Sequence, residues 1–302
     1  MKAKYLPEAR LIAYLSGSSR IVASASKLTL SPKDFIDISS GMSEEKIEAW
    51  IKELVRRGHG SPLEHSIFIF EVACSRVCSH QLVRHRHASF SQLSQRYSDR
   101  YLRSLVRRAC EHLGLQYRED YSYYVTLLEK FLESSPDYEV LLDVAGEAFI
   151  VPPSVLRGRN KMFLESLVAG VKQFYEVVSS GVPFEDARFL LPQAVKTRLL
   201  VSMNARELIE VFLPLRTCRR AQWEIRSIAW QILEELNRVE PALFKYSGPR
   251  CLLQDNRVRV EPCTLSDYFN GTCKPVIERC PELVPRDKIV ECVRASMSLE
   301  VD

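Results

Sequence analysis

Residues 84–97 read Arg-His-Arg-His-Ala-Ser-Phe-Ser-Gln-Leu-Ser-Gln-Arg-Tyr, and this polar run governs the reading of the 302-residue chain. Arg84, His85 and Arg86 cannot all point to one side of a helix, because neighbouring positions diverge by roughly 100°. The segment is therefore expected to be a helix end entering a loop, where side chains can converge on a ligand. Ser89, Ser91, Gln92, Ser94, Gln95, Arg96 and Tyr97 add many hydrogen-bonding groups and few apolar anchors. Such a stretch is either solvated or wrapped around a polar ligand. Seven arginines lie between residues 84 and 108 against one acid, Asp99, and all six histidines fall between His59 and His112. One reading is a basic outer face. The other is a pocket for a phosphate-bearing ligand, whose oxygens match a guanidinium fork in geometry and charge.

The rest of the composition is ordinary. Hydrophobic residues make up 46% and charged residues 26%, with a net charge of +4, so a core forms without metal or disulfide staples. Apolar runs are too short to span a bilayer. The start, Met1-Lys2-Ala3-Lys4-Tyr5 followed by Pro7, Glu8 and Arg10, is unlike a signal peptide, and a cytoplasmic protein is the expectation.

Residues 1–42 read as mixed helix and loop. Apolar spacing predicts a helix over 44–57, with Gly58 as its C-terminal cap. The turn-rich segment 58–65 precedes a strand over 66–74, rich in β-branched and aromatic side chains. A short helix then carries Val77, Gln81 and Arg84. Long amphipathic helices are expected over about 115–134 and 159–179, a strand over 196–203, and helices from Asn204 and from about Thr217 to Val239. Pro241 ends the last. Periodicity fades after Gly248, which suggests a loop-rich appendage holding five of the nine cysteines. Strands and helices do not alternate regularly, so the fold class is α+β rather than a doubly wound sheet. The expected division is a domain over 1–247 and a cysteine-rich extension over 248–302.

Arg84-His85-Arg86, seven residues, then Ser94 and Arg96-Tyr97 is similar to the signature of the flavin-dependent thymidylate synthases. His59-Gly60-Ser61-Pro62-Leu63-Glu64-His65 upstream resembles the segment before that family's first core strand. Asn204-Ala205-Arg206 and the run from Leu215 to Arg226 resemble its C-terminal helical motifs, in the same order. The resemblance covers about residues 45–247. It implies a central antiparallel sheet flanked by long helices, and a homotetramer whose active sites draw on several subunits. It implies methylation of dUMP to dTMP, with 5,10-methylenetetrahydrofolate as carbon donor and NADPH-reduced FAD as hydride carrier. No enzymic nucleophile is required: no cysteine lies between Arg84 and Tyr97, and Cys263 after Pro262 is the one superficial candidate.

By the same resemblance His59, Ser61, Arg84, His85, Arg86, Gln92, Asn204 and Arg206 are expected at the flavin. Gln81, Arg84, Gln92, Ser94, Gln95, Arg96 and Arg188 form the expected nucleotide set. Arg216 resembles the arginine that favours ionisation of the uracil N3, a fixed cation beside a developing anion. The chain departs from the pattern at three points. Gln92 stands where many members have Glu, keeping an acceptor oxygen but no charge. The Asn204–Arg216 interval is one residue longer than usual. Glu210 or Val211 occupies the place of a common flavin-contacting histidine.

Some residues in these motifs have plainer readings. Trp223, Ile225 and Trp230 are expected in the core, Arg220 and Arg226 on a helix surface, and Glu64 and His65 at a turn. Ser94 is a nucleophile by type but has no identifiable base beside it, so it is read as a ligand binder. His87 has no assigned role. A catalytically impaired paralogue is an alternative function, and an arginine-rich nucleic-acid binder is a weaker one, given the mild net charge and no nucleic-acid motif. The tail cysteines admit free thiols, disulfides or a metal. Zinc is the least supported, because their spacing is irregular and no histidine follows His112.

Overall fold

Phe68, Phe70, Val72 and Cys74 alternate along one strand, and all four are fully buried. Period-two burial of this kind pins one face of a strand against a core. That strand is the centre of a sheet in a computed structural model that describes residues 3–299.

The chain begins with strand β1 (Glu8–Tyr14) and helices α1 (Ser18–Leu28), α2 (Phe35–Ser40) and α3 (Glu44–Arg57). A 3-10 turn, Ser61–Glu64, leads into β2 (Phe68–Ser75), α4 (Arg76–Leu82) and β3 (Ala88–Gln92). Next come α5 (Arg100–Leu113), α6 (Tyr121–Glu133), α7 (Tyr138–Ala148), α8 (Pro153–Gly158), α9 (Lys161–Ser179) and the short α10 (Phe184–Ala187). Strand β4 (Lys196–Met203) precedes a π turn (Glu207–Phe212), α11 (Leu213–Arg216), α12 (Trp223–Val239) and α13 (Pro241–Phe244). The tail holds α14 (Arg250–Arg257), α15 (Leu265–Asn270) and α16 (Ile289–Ser296). No helix among the described residues is long and apolar enough to cross a membrane.

The four strands run in the order β1-β2-β4-β3, every pair antiparallel. This is the α+β architecture expected, a central antiparallel sheet with long helices around it. One core packs the sheet against α1, α3 and α12 through Phe68, Phe70, Ile47, Ile51, Ile228 and Ile232. A second core is helical, joining α5, α6, α7 and α9 through Leu105, Leu128, Phe131, Leu164 and Phe174. A third, smaller one lies in the tail around Leu252, Tyr268 and Ile289, with Trp230 of α12 against it.

Helix α3 and strand β4 match their predicted limits, and Gly58 takes the left-handed conformation (φ 69°) that ends α3 without a Cβ penalty. Other limits move for local reasons. Asp120 accepts a hydrogen bond from Tyr123 N and starts α6 later than the pattern suggests. Gln222 does the same for α12, so residues 217–222 lie outside it. Residues 88–92 form an edge strand rather than a loop. Ala88 and Phe90 pack toward the core while Ser89 and Ser91 face out, an alternation too short to register against so many polar neighbours. Strand β1 and helices α5 and α7 have no counterpart in the predicted elements, whereas α1 and α2 fall in the stretch expected to mix helix and loop.

In α5 the arginine density masks a regular stripe of Leu102, Leu105, Val106, Ala109 and Cys110, all buried. Its arginines pair with acids: Arg103 with Asp99 and Glu119, Arg107 with Glu119, Arg108 with Glu111 and Asp143. The basic surface reading therefore holds for this half of the segment. Arg226 goes the other way. It is buried at 3% exposure, and its guanidinium donates to the carbonyls of Arg219, Ala221 and Ser298, tying the start of α12 to the tail. A long apolar stem lets an arginine do this where a short charged side chain could not. The tail is also more helical than expected, because Asp255, wholly buried, organises it.

Lys196 opens β4 and is buried, its Nζ donating to the carbonyls of Gly146 and Glu147. Burial pushes its pKa down to about 8, against a smaller opposing pull from Glu147. The unfolded chain keeps this proton to about pH 10, so between about pH 8 and 10 the unfolded state binds more protons. Stability should rise through that window, by at most about 3 kcal/mol. Urea unfolding should show the wild type gaining stability relative to Lys196→Met as the pH rises through that window; a constant difference would refute the shift.

Candidate active site

Ser75 sets the position of α4. Its hydroxyl accepts from Cys78 N, and both its amide and its hydroxyl donate to the buried carboxylate of Glu224 at 2.6 Å. Burial raises the pKa of Glu224, against the two Ser75 hydrogen bonds. Helix α4 then unwinds through 3-10 type bonds, Arg84 N to Gln81 O and His85 N to Leu82 O. The turn sends His85 inward, 4% exposed, and leaves Arg84 and Arg86 exposed on either side. The divergence of adjacent positions expected from the sequence is realised in this way.

His85 sits between two charged groups. Its Nδ1 lies 2.8 Å from Glu207 Oε1, and its Nε2 lies 3.0 Å from Nε of Arg216. Arginine can only donate, so Nε2 accepts and Nδ1 carries the proton that it donates to Glu207. The imidazole is thereby fixed as one neutral tautomer, with Phe212 edge-on to the ring. Arg216 also donates to Gln81 O at 3.4 Å, and burial lowers its pKa from the ordinary arginine value. The Glu207–His85–Arg216 chain holds one guanidinium in a single orientation.

Glu207 is the principal residue that the sequence reading missed. Asn204 Oδ1 accepts from Glu207 N at 2.8 Å, so Asn204 caps the π turn and places the carboxylate. The available signal was an acid three residues after a capping Asn, at the head of an otherwise apolar run. Between Asn204 and Arg216 the π turn's wider loop takes up one residue more than an α turn would.

His59 and Ser61 line a cavity of about 590 Å³ together with Trp50, Leu54, Arg57 and Pro62. Arg206 borders the same segment: a Cβ added to Gly60 would stand 2.6 Å from both Arg206 Nε and Glu210 Oε2. Any larger residue there would require the Arg206 and Glu210 side chains to shift. Arg206 pairs with Glu64 and, at 3.1 Å, with Glu210, which in turn meets Arg257 of the tail at 3.1 Å. Glu64 is therefore more than a turn residue.

Gln95 and Arg188 line a second cavity, of about 340 Å³, which also takes in Arg76 and His80. Burial, and then the neighbouring Arg188, lower the pKa of Arg76. Two guanidiniums this close mark a place short of negative charge. Arg96 reaches the same neighbourhood through Glu185, 3.1 Å away, and its amide is held by Ser94 Oγ at 3.2 Å. Gln92, on β3, donates from Nε2 to Thr197 Oγ1 at 3.1 Å, which leaves its amide oxygen available. Arg76 and His80 were not singled out from sequence; their i, i+4 spacing on α4 around Gln81 was the available clue. The lining residues of the two cavities do not overlap within one chain. Cys263 is removed as a nucleophile by its disulfide with Cys273.

A Glu–His–Arg chain ending in a half-buried guanidinium, and a separate arginine-lined cavity, both suit small anionic ligands. The family model described as thymidylate synthase complementing protein matches residues 10–242. The flavin-dependent thymidylate synthase of Aeropyrum pernix is 43% identical over 96% of this chain and 93% of its own. That of Sulfolobus acidocaldarius is 37% identical over 97% and 95%. The Helicobacter pylori flavin-dependent thymidylate synthase, solved with FAD and dUMP, shares the fold with a TM-score of 0.55 at 24% identity, covering 80% of this chain and 99% of that one. The chain belongs to the flavin-dependent thymidylate synthase family.

Proposed function

We propose that this chain converts dUMP to dTMP, taking the carbon from 5,10-methylenetetrahydrofolate and the reducing equivalents from NADPH through FAD. The observation that carries the reading is the Glu207–His85–Arg216 chain, which holds a half-buried guanidinium as a preorganised partner for a developing anion. When bound, FAD supplies the hydride chemistry that no side chain offers.

The residues present fit that cofactor. The larger cavity has apolar walls in Trp50, Leu54 and Pro62, suited to an aromatic ring system, and polar groups in Arg57, His59 and Ser61 at its edge. Arg206, with Asn204 behind it, borders the same segment, and the exposed Arg84 and Arg86 are assigned to cofactor phosphates. His85 is assigned a positioning task through Arg216, since both of its ring nitrogens are engaged within the protein.

The nucleotide phosphate is assigned to the Arg76, Gln95 and Arg188 cavity with Ser94 and Arg96 beside it, and Gln81 and Gln92 complete the set. Phe189 at 84% and Tyr97 at 78% exposure flank this region. Large apolar side chains left bare beside a binding site suit a face covered by another subunit. Separate cavities within one chain also favour active sites assembled from several copies in a homotetramer.

The test is dTMP formation from dUMP, methylenetetrahydrofolate, FAD and NADPH by the full-length protein. Expected is turnover that requires all four. Flavin uptake without dTMP would favour the impaired paralogue, and failure to take up FAD would sink the reading.

A further inference from the structure

Four cysteines far apart in sequence face one cavity of about 370 Å³ where the tail meets the segment just before α12. They are Cys218, two residues past Arg216, and Cys251, Cys280 and Cys292 of the tail. None of the four takes part in the disulfide. Cys280 is buried, and Cys218, Cys251 and Cys292 are partly buried around the cavity. Four sulfurs gathered around an open space leave much of the cavity wall as thiol, and thiolate is what soft metal centres select.

We infer that Cys218, Cys251, Cys280 and Cys292 ligate an iron–sulfur cluster that fastens the tail to the non-helical segment following Arg216. Three observations favour a cluster over a single zinc ion. The first is spacing. A tetrahedral zinc at about 2.3 Å from each sulfur holds every pair of sulfurs within about 4 Å. Among the described residues, the three metal-ligating groups found within 4.8 Å of one another are Cys74, Cys78 and Glu224, so these four sulfurs stand wider than zinc requires. An inorganic iron–sulfide core fills such a space with four cysteine ligands.

The second observation is hydrogen bonding to sulfur. The backbone amide of Val284 donates to Cys280 Sγ at 3.3 Å. Amide bonds to sulfur stabilise thiolate ligands and tune clusters. The third is charge. Arg219, Arg220 and Lys288 line the cavity beside Glu282 and Glu291, leaving a positive surplus to offset an anionic cluster.

The Cys74, Cys78 and Glu224 group is not a competitor. It lies fully inside the sheet core, and both carboxylate oxygens of Glu224 already accept from Ser75. The tail spacing alone concealed the tetrad, because its fourth member comes from the main body 33 residues before Cys251 in the numbering (251 minus 218).

The test uses full-length protein freed of FAD and reconstituted anaerobically with ferrous iron and sulfide, beside a sample loaded with zinc alone. Expected are equal amounts of iron and acid-labile sulfide, about two to four of each per chain, with protection of four thiols from alkylation. Cys251→Ser/Cys280→Ser should lose most of that iron, while Cys263→Ser/Cys273→Ser should keep it. Because the first double variant could loosen the tail, the wild-type iron and sulfide content decides the matter. One zinc per chain with no sulfide uptake would overturn the inference, as would metal at trace level after reconstitution.

Discussion

Arg216→Ala should abolish measurable dTMP formation, on the order of a 10²–10³-fold loss or more, while the protein still takes up FAD. The expectation rests on how completely the fold commits this side chain. Its Nε donates to His85, its terminal nitrogen reaches Gln81 O, and burial already disfavours its charge. A guanidinium held in that state has no structural acid as direct partner among these contacts, so its charge is available to a ligand. Glu207→Gln provides the comparison. The amide can still accept from His85 but removes the buried charge behind it, so a smaller loss, confined to kcat, is expected. Flavin absorbance near roughly 450 nm should survive in both variants. Near-normal turnover by Arg216→Ala would refute the assignment; equal effects on KM and kcat in Glu207→Gln would refute the positioning role of the chain.

Asp255→Ala should open the tail. One Asp255 oxygen accepts from the amides of Val276 and Ile277 at 2.6 and 3.0 Å, and the other from Tyr268 Oη at 2.6 Å and Arg259 Nε at 2.7 Å. The hydrogen bonds hold its pKa below the usual carboxylate value although burial pushes upward. Deleting it leaves two part-buried amides and a guanidinium without their acceptor, at a cost on the order of 3 kcal/mol. The disulfide between Cys263 and Cys273 closes too short a loop to replace it, at a sequence separation of 10. Hydrogen exchange should show the Val276 and Ile277 amides becoming fast while those of β2 and β4 stay protected. Unchanged protection at residues 276 and 277 would show that the tail is held by its apolar contacts alone.

The parts of this protein legible in its sequence are those whose cause is local. Helix α3 carries its own stripe and its own glycine stop; β4 and the stripe of α12 are equally self-contained. The family motifs are local too. Strand β3 and helix α5 were obscured because polar side chains on the outer face outnumber the buried ones, and ion pairs with Glu119 and Asp143 are invisible to periodicity. The site divides the same way. Arg216 and His85 stand in recognisable runs, but the acid that orients them, Glu207, is 122 residues from His85 and is selected by packing. The cysteines of the tail looked irregular because their geometry is completed from outside the tail.

The π turn at Glu207–Phe212 has a bearing on how the tail is held. In an α-helix one added residue would swing everything beyond it by about 100°, carrying Arg216 away from His85. A single widened turn takes up a residue between two fixed points, Glu207 and Arg216, both anchored on one imidazole. The slack emerges at Glu210, which grips Arg206 on one side and Arg257 of the tail on the other. The widened turn thus serves a second purpose, as the shoulder by which the main body takes hold of the C-terminal tail.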